Sequence, residues 1–147
     1  MAHSYVRSAF HLVFSTKNRA QLIPANLQTK IWNYLAGIGR NHGIQVLATG
    51  GTNNHVHMLI MLPADAKLSD AVRTLKTNSS RWVREVNPMF GWQEGYAAFS
   101  VSPSQLGRVI HYIQNQFEHH RKRSFEDEFL AMLQAANVEF ESNQVFG

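Results

Sequence analysis

The stretch "GGTNNHVHMLIMLP" (Gly50–Pro63) decides how this chain is read. A Gly/Asn cluster leads into mostly apolar residues and a closing proline, which is a strand entered through a tight turn. The same two glycines end the segment "IQVLATGG" (Ile44–Gly51), a second strand, so the two form a hairpin. Upstream, "SYVRSAFHLVFSTK" (Ser4–Lys17) is rich in β-branched and aromatic residues and reads as the first strand. Between them Pro24 opens a helix in which Leu27, Ile31, Tyr34, Leu35 and Ile38 share the apolar face, closed by Gly43.

Downstream, "LSDAVRTLKTNSSRWVREV" (Leu68–Val86) repeats the helical period, and "WQEGYAAFSVS" (Trp92–Ser102) reads as a fourth strand. Ser102 and Pro103 suit the N-cap and first turn of a long helix running to about Lys122, and a shorter helix spans Phe125 to about Ala136. The order βαββαβ plus two helices predicts an α+β fold, a ferredoxin-like or RRM-like antiparallel sheet with additional C-terminal helices. Helices cover one face; the other stays free for a further helix, a ligand or a partner. The histidine strand would be central and half-buried.

The 147 residues, 44% hydrophobic, suit a single domain (1–147) with its own core. No apolar run is long enough to span a membrane, the N-terminus does not resemble a signal peptide, and cysteine is absent. A cytoplasmic protein is expected. Fourteen basic residues against five acidic ones give residues 1–123 a net +9, whereas 124–147, an acidic helix and tail, carry five acids and no base. Such a body suits a polyanionic partner, or only a solvated surface.

Side chains alternate across a strand, so His55 and His57 project to one face, about 7 Å apart, within reach of one divalent ion. Hydrogen bonding within a hairpin would explain the pair equally. On the long helix, Leu106, Val109, Ile110, Ile113 and Phe117 form an apolar face; Gln105, Arg108, Tyr112, Gln116, His119 and Arg123 form a polar stripe beside it. That stripe suits phosphate chemistry, or a polar helix face in water.

Five segments in order, "HLVFSTKNR" (His11–Arg19), "GGTNNHVHMLI" (Gly50–Ile60), "LKTNSSRWV" (Leu75–Val83), "WQEGYAAFSVSPSQ" (Trp92–Gln105) and "YIQNQFEHHRKRSFEDEF" (Tyr112–Phe129), carry a resemblance. Together they resemble the single-tyrosine transposases of the insertion-sequence 200/605 type, nucleases named for a His–hydrophobe–His motif. The resemblance implies that Tyr112 is the nucleophile, forming a 5′-phosphotyrosine on single-stranded DNA. It implies that His55, His57 and Gln116 hold a divalent metal, Mg²⁺ or Mn²⁺. It further implies a homodimer acting on DNA hairpins near the element ends. Arg73, Lys76, Arg81, Arg84, Arg121, Lys122 and Arg123 are candidates for phosphate contacts.

One position departs: Asn54 stands where the family often has Asp. A histidine-triad hydrolase would need a third histidine at Leu59, and a zinc hydrolase an Asp-His pair near Asp65. The remaining alternative, to which Asn54 is the only pointer, is a domesticated hairpin-binding protein with little or no strand transfer. Of the other tyrosines, Tyr34 is expected in the core, and Tyr5 and Tyr96 in strands.

Overall fold

Four strands, β1 (Ser8–Ser15), β2 (Gln45–Gly51), β3 (His55–Leu62) and β4 (Ala97–Ser100), pair antiparallel in the order β2-β3-β1-β4 in the computed structural model, which describes residues 3–146. Helices α1 (Ala25–Asn41) and α2 (Leu68–Arg84) cross one face; α3 (Leu106–Gln114), α4 (Gln116–His120) and α5 (Phe125–Ala135) follow β4. This is the split βαβ order read from the sequence, with β3 central beside β1. None of the described helices is long and apolar enough to cross a membrane.

Alternation along β3 sorts the two layers. Val56, Met58, Ile60 and Leu62 join Leu12 and Phe14 of β1 in a core with Ile31, Leu35, Val72, Leu75 and Val83 of α1 and α2. On the opposite face Leu59 packs with Ala9, Ala48 and Ile113, and α3 closes this layer through Leu106, Val109 and Ile110. The tail and α5 complete that side through Phe125, Phe129 and Leu133, against Val13 and Ala97. The histidine strand is therefore covered on both faces, not half-buried: its histidines lie under the second helical layer.

Two glycines do specific work. Gly43 takes φ 75° just past the end of α1, the left-handed conformation that terminates a helix. Gly50 lies opposite His57, and a Cβ there would collide with the Ile113 carbonyl oxygen. Its missing side chain lets α3 lie directly on β2. A bulge between Val46 and Ala48 rephases β2, so that Val46 pairs with Ile60 on the first face and Ala48 with Leu59 on the second.

Several expectations need correction. The first strand starts at Ser8, leaving Tyr5 exposed ahead of it, and the fourth is only Ala97–Ser100, leaving Tyr96 outside. Tyr34 is 37% exposed and stacks on Trp82 at 4.4 Å instead of entering the core. Ser102 makes no cap bond; Pro103–Gln105 forms a 3-10 turn before α3. The long helix breaks at Asn115 (φ −108°, ψ 26°), whose side-chain Nδ2 donates to the His111 carbonyl at 2.7 Å and competes with the helical ladder. The break turns Gln116 inward, 1% exposed, and swings Phe117 out to 71% exposure, off the apolar face.

Candidate metal and nucleophile site

Four segments meet beneath the second helical layer. His55 and His57 come from β3, fully buried. Tyr112 and Gln116 flank the Asn115 break. His120 ends α4, and Glu128 enters from α5, 2% exposed. Ser124 caps α5 by accepting from the Asp127 amide at 3.1 Å, and Glu126, Asp127 and Glu128 fill its first turn. Phe125 stacks on the His55 ring at 4.3 Å. This stacking turns the adjoining stripe, with Glu128, toward the histidines.

The polar atoms converge. His57 Nε2 lies 3.0 Å from Glu128 Oε1, His120 Nε2 3.2 Å and His55 Nε2 3.6 Å from the same oxygen. Gln116 Oε1 is 3.3 Å from His55 Nε2 and 3.0 Å from His120 Nε2. One ligand atom from each of His55, His57, His120 and Glu128 fits within 4.8 Å of the rest.

The outer contacts define which inner atoms carry lone pairs. His120 Nδ1 donates to the Arg123 carbonyl at 2.8 Å, which can only accept, so neutral His120 presents a bare Nε2. His55 Nδ1 donates to Asn54 Oδ1 at 2.9 Å, with Thr52 Oγ1 also near, and presents its Nε2 likewise. Gln116 Nε2 donates to the Tyr112 carbonyl at 3.2 Å, which turns Oε1 inward. Two imidazole nitrogens, an amide oxygen and a carboxylate oxygen, all acceptors, therefore face one another. A cation resolves that arrangement; neutral hydrogen bonding does not. Asn54 thus keeps the acceptor that an aspartate would offer to His55, with one negative charge fewer.

Glu128 also faces the nucleophile candidate. Its Oε2 accepts from the Tyr112 hydroxyl and lies 3.1 Å from His119 Nε2, which is itself 3.5 Å from the Tyr112 oxygen. Burial, followed by the hydrogen bond and charge of Glu128, pushes the Tyr112 hydroxyl well above its usual range. Burial alone would raise the Glu128 carboxyl, but the facing polar atoms of His120 and His57, with the Tyr112 hydroxyl, outweigh it and hold the group ionised. Burial and the neighbouring His57 lower His55 well below the ordinary imidazole value and His11 to about 3.

Of the residues read from sequence, His55, His57, Gln116 and Tyr112 come together. The basic candidates divide. Lys122 and Arg123 line an open cleft with Tyr112, Asn115 and His119; Arg121 lines a separate cleft with Asn54, Phe117 and His120 and pairs with Glu118 at 3.3 Å. Arg73, Lys76, Arg81 and Arg84 sit on α2, across the sheet from the histidines. There Arg73 pairs with Asp70, Lys76 donates to the Gln93 and Gly95 carbonyls, and Arg84 donates to the Phe90 carbonyl.

Sequence reasoning missed His11, His120 and Glu128. Glu128 interrupts the apolar stripe Phe125, Phe129, Met132, and His120 follows Gln116 by one helical turn. His11 is an ionisable residue in the middle of an apolar strand. Each of these anomalies was visible.

The profile of the IS200-like transposases matches residues 4–116, a span that holds His55, His57, Tyr112 and Gln116 and stops short of His120 and Glu128. The ISDra2 transposase TnpA of Deinococcus radiodurans is 24% identical over 117 residues, covering 74% of this chain and 84% of that protein. The transposase of insertion sequence IS200 from Salmonella typhimurium is 24% identical over 129 residues, 80% and 82% of the two chains. Among solved structures, a Deinococcus radiodurans transposase candidate superposes with a TM-score of 0.64 at 24% identity, over 79% of this chain and 96% of that one. A REP-associated tyrosine transposase bound to a REP hairpin superposes at 0.61 and 17% identity, over 82% and 73%. With the profile spanning more than three-quarters of its length, the chain belongs to the IS200-like transposase family.

Proposed function

We propose that the protein cleaves and rejoins single-stranded DNA at hairpin-marked ends, with Tyr112 as nucleophile and a divalent metal held by His55, His57 and Gln116. The observation that carries this reading is the convergence of acceptor atoms beside a half-buried tyrosine hydroxyl. His120 Nε2 and Glu128 Oε1 belong to the same donor set and extend the three ligands inferred from resemblance. Rich in imidazole, the set suits Mn²⁺ better than Mg²⁺, which prefers oxygen ligands. A bound ion there supplies Lewis-acid neutralisation of phosphate charge.

The chain's own groups set up the nucleophile. Glu128 Oε2 accepts a hydrogen bond from the Tyr112 hydroxyl, which fixes the phenol oxygen beside the cluster. With the hydroxyl pushed up and the carboxyl held ionised, this contact positions the nucleophile, and its activation would fall to a cation bound in the cluster. Attack at phosphorus forms the tyrosine–phosphate ester as the bond to the 3′ oxygen breaks. The products are a 5′-phosphotyrosine and a free 3′-hydroxyl. The ester retains the phosphodiester energy, so a second end can be joined without ATP.

Lys122 and Arg123 provide the basic rim of the cleft that opens on Tyr112, and Arg121 lies on the neighbouring cleft that also reaches Arg123, together a suitable path for the DNA backbone. One tyrosine per chain holds one end, so two-ended transfer implies a homodimer.

Replacing Tyr112 with Phe tests the reading. The ring stays and one oxygen is removed, so hairpin binding should persist while covalent protein–DNA product disappears from a denaturing gel. Adduct persisting in Tyr112→Phe would overturn the assignment.

A further inference from the structure

We propose that His11 is a positioning residue for the metal ligand His57: its Nε2 accepts the His57 Nδ1 hydrogen and so leaves the His57 Nε2 lone pair facing the cluster. This rests on the reading above, in which His57 is a ligand.

His11 of β1 pairs with Leu59, and Val13 pairs with His57, so the two histidines lie diagonally on one face of adjacent central strands. The rings are 5.0 Å apart, and His11 Nε2 is 2.8 Å from His57 Nδ1. His11 is only 6% exposed, enclosed by the edges of Phe99 at 6.3 Å and Tyr112 at 5.9 Å. A buried imidazole beside another imidazole is neutral, so one of its nitrogens is free to accept.

The other inward-facing groups follow one rule. His55 donates outward to Asn54 and His120 to the Arg123 carbonyl, and Gln116 donates to the Tyr112 carbonyl. Each outer acceptor turns a lone pair inward. Among these groups His57 alone is served by a ring whose tautomer is adjustable. Once a metal takes His57 Nε2, its hydrogen must sit on Nδ1, and His11 Nε2 is the atom placed to receive it. A β1 residue thereby sets the orientation of a β3 ligand, and no additional loop is needed.

The test compares His11→Phe, which keeps a ring and removes the acceptor, with His11→Gln, whose side-chain oxygen lies near the position of the missing Nε2. Mn²⁺ alone, without DNA, is titrated into each protein, with free ion counted by electron paramagnetic resonance. His11→Phe should bind Mn²⁺ about 10–100-fold more weakly, and His11→Gln should recover most of that affinity, with hairpin binding unchanged in both. Wild-type Mn²⁺ affinity in His11→Phe, or equal weakening in both variants, would overturn the proposal. Because substitutions in the sheet centre can impair folding, nitrogen-15 spectra of histidine-labelled wild type with Zn²⁺ give a second reading. His57 should be protonated at Nδ1 and His11 bare at Nε2; the reverse pattern would overturn it. Wild-type Mn²⁺ affinity in His57→Ala would instead remove the metal site itself.

Discussion

Gly50→Ala is the most demanding substitution that the fold offers, because it inserts one methyl group between β2 and the helix that carries Tyr112. The new Cβ would lie well inside van der Waals contact of the Ile113 carbonyl oxygen, with the Ile113 carbonyl carbon at 3.2 Å and its Cγ2 at 3.3 Å. A backbone oxygen cannot rotate away, so α3 must retreat by about 1 Å to reach ordinary contact distances. Overpacking of this kind costs about 1–3 kcal/mol, which in a chain of this size lowers the melting temperature by roughly 2–10 °C. The larger effect falls on chemistry. Tyr112 precedes Ile113 directly, and a misplacement of about 1 Å in a reacting group costs about 10²-fold in rate. Cleavage of a labelled hairpin oligonucleotide, followed in single turnover below the melting temperature, should therefore fall about a hundredfold while hairpin affinity changes little. Gly37→Ala is the control: its Cβ meets nothing within 4 Å in the interior of α1, and helix propensity should stabilise it by about 0.5–1 kcal/mol. Wild-type melting and wild-type cleavage in Gly50→Ala would refute the close approach of α3 and the placement of Tyr112 that depends on it.

Two further outcomes follow from charge. Hairpin affinity should fall steeply with salt, and neutralising Arg121, Lys122 and Arg123 together should flatten the log–log slope by about 2–3, at about 0.7–0.9 for each phosphate that these side chains neutralise; an unchanged slope in a filter-binding or anisotropy series would move the interface elsewhere, with α2 next to be tested. The second outcome is acid sensitivity of the metal-free protein in EDTA. His11 titrates near 3 when folded against 6.5 when unfolded, so the unfolded chain takes up the proton first. Folded stability is then lost as pH falls from about 6.5 toward 3, by up to about 1.4 kcal/mol per pH unit from this group, and His55 acts in the same direction. Urea midpoints should drop between about pH 7 and pH 5, less so in His11→Gln; a constant midpoint would show that His11 is not held neutral by the fold.

Sequence by itself determined the order of elements and the common face of His55 and His57, because strand alternation and helical period are local properties of the chain. It also placed Tyr112 and Gln116 one turn apart. Local periodicity failed where a single side chain competed with the backbone: Asn115 breaks the helix, and Gln116 and Phe117 exchange the environments that an unbroken period assigns. Nor could it choose among Glu126, Asp127 and Glu128. Glu126 pairs with Arg19 at 2.9 Å, whereas Glu128 turns inward because Phe125 docks on His55. The decisive contacts join residues 46 positions apart for His11 and His57, and 71 apart for His57 and Glu128. Only the packing of α5 and α3 onto the sheet brings them together. A carboxylate that reads as part of an acidic tail becomes a group shared by four imidazoles and a tyrosine, because burial there is set by long-range contacts and not by the residues beside it.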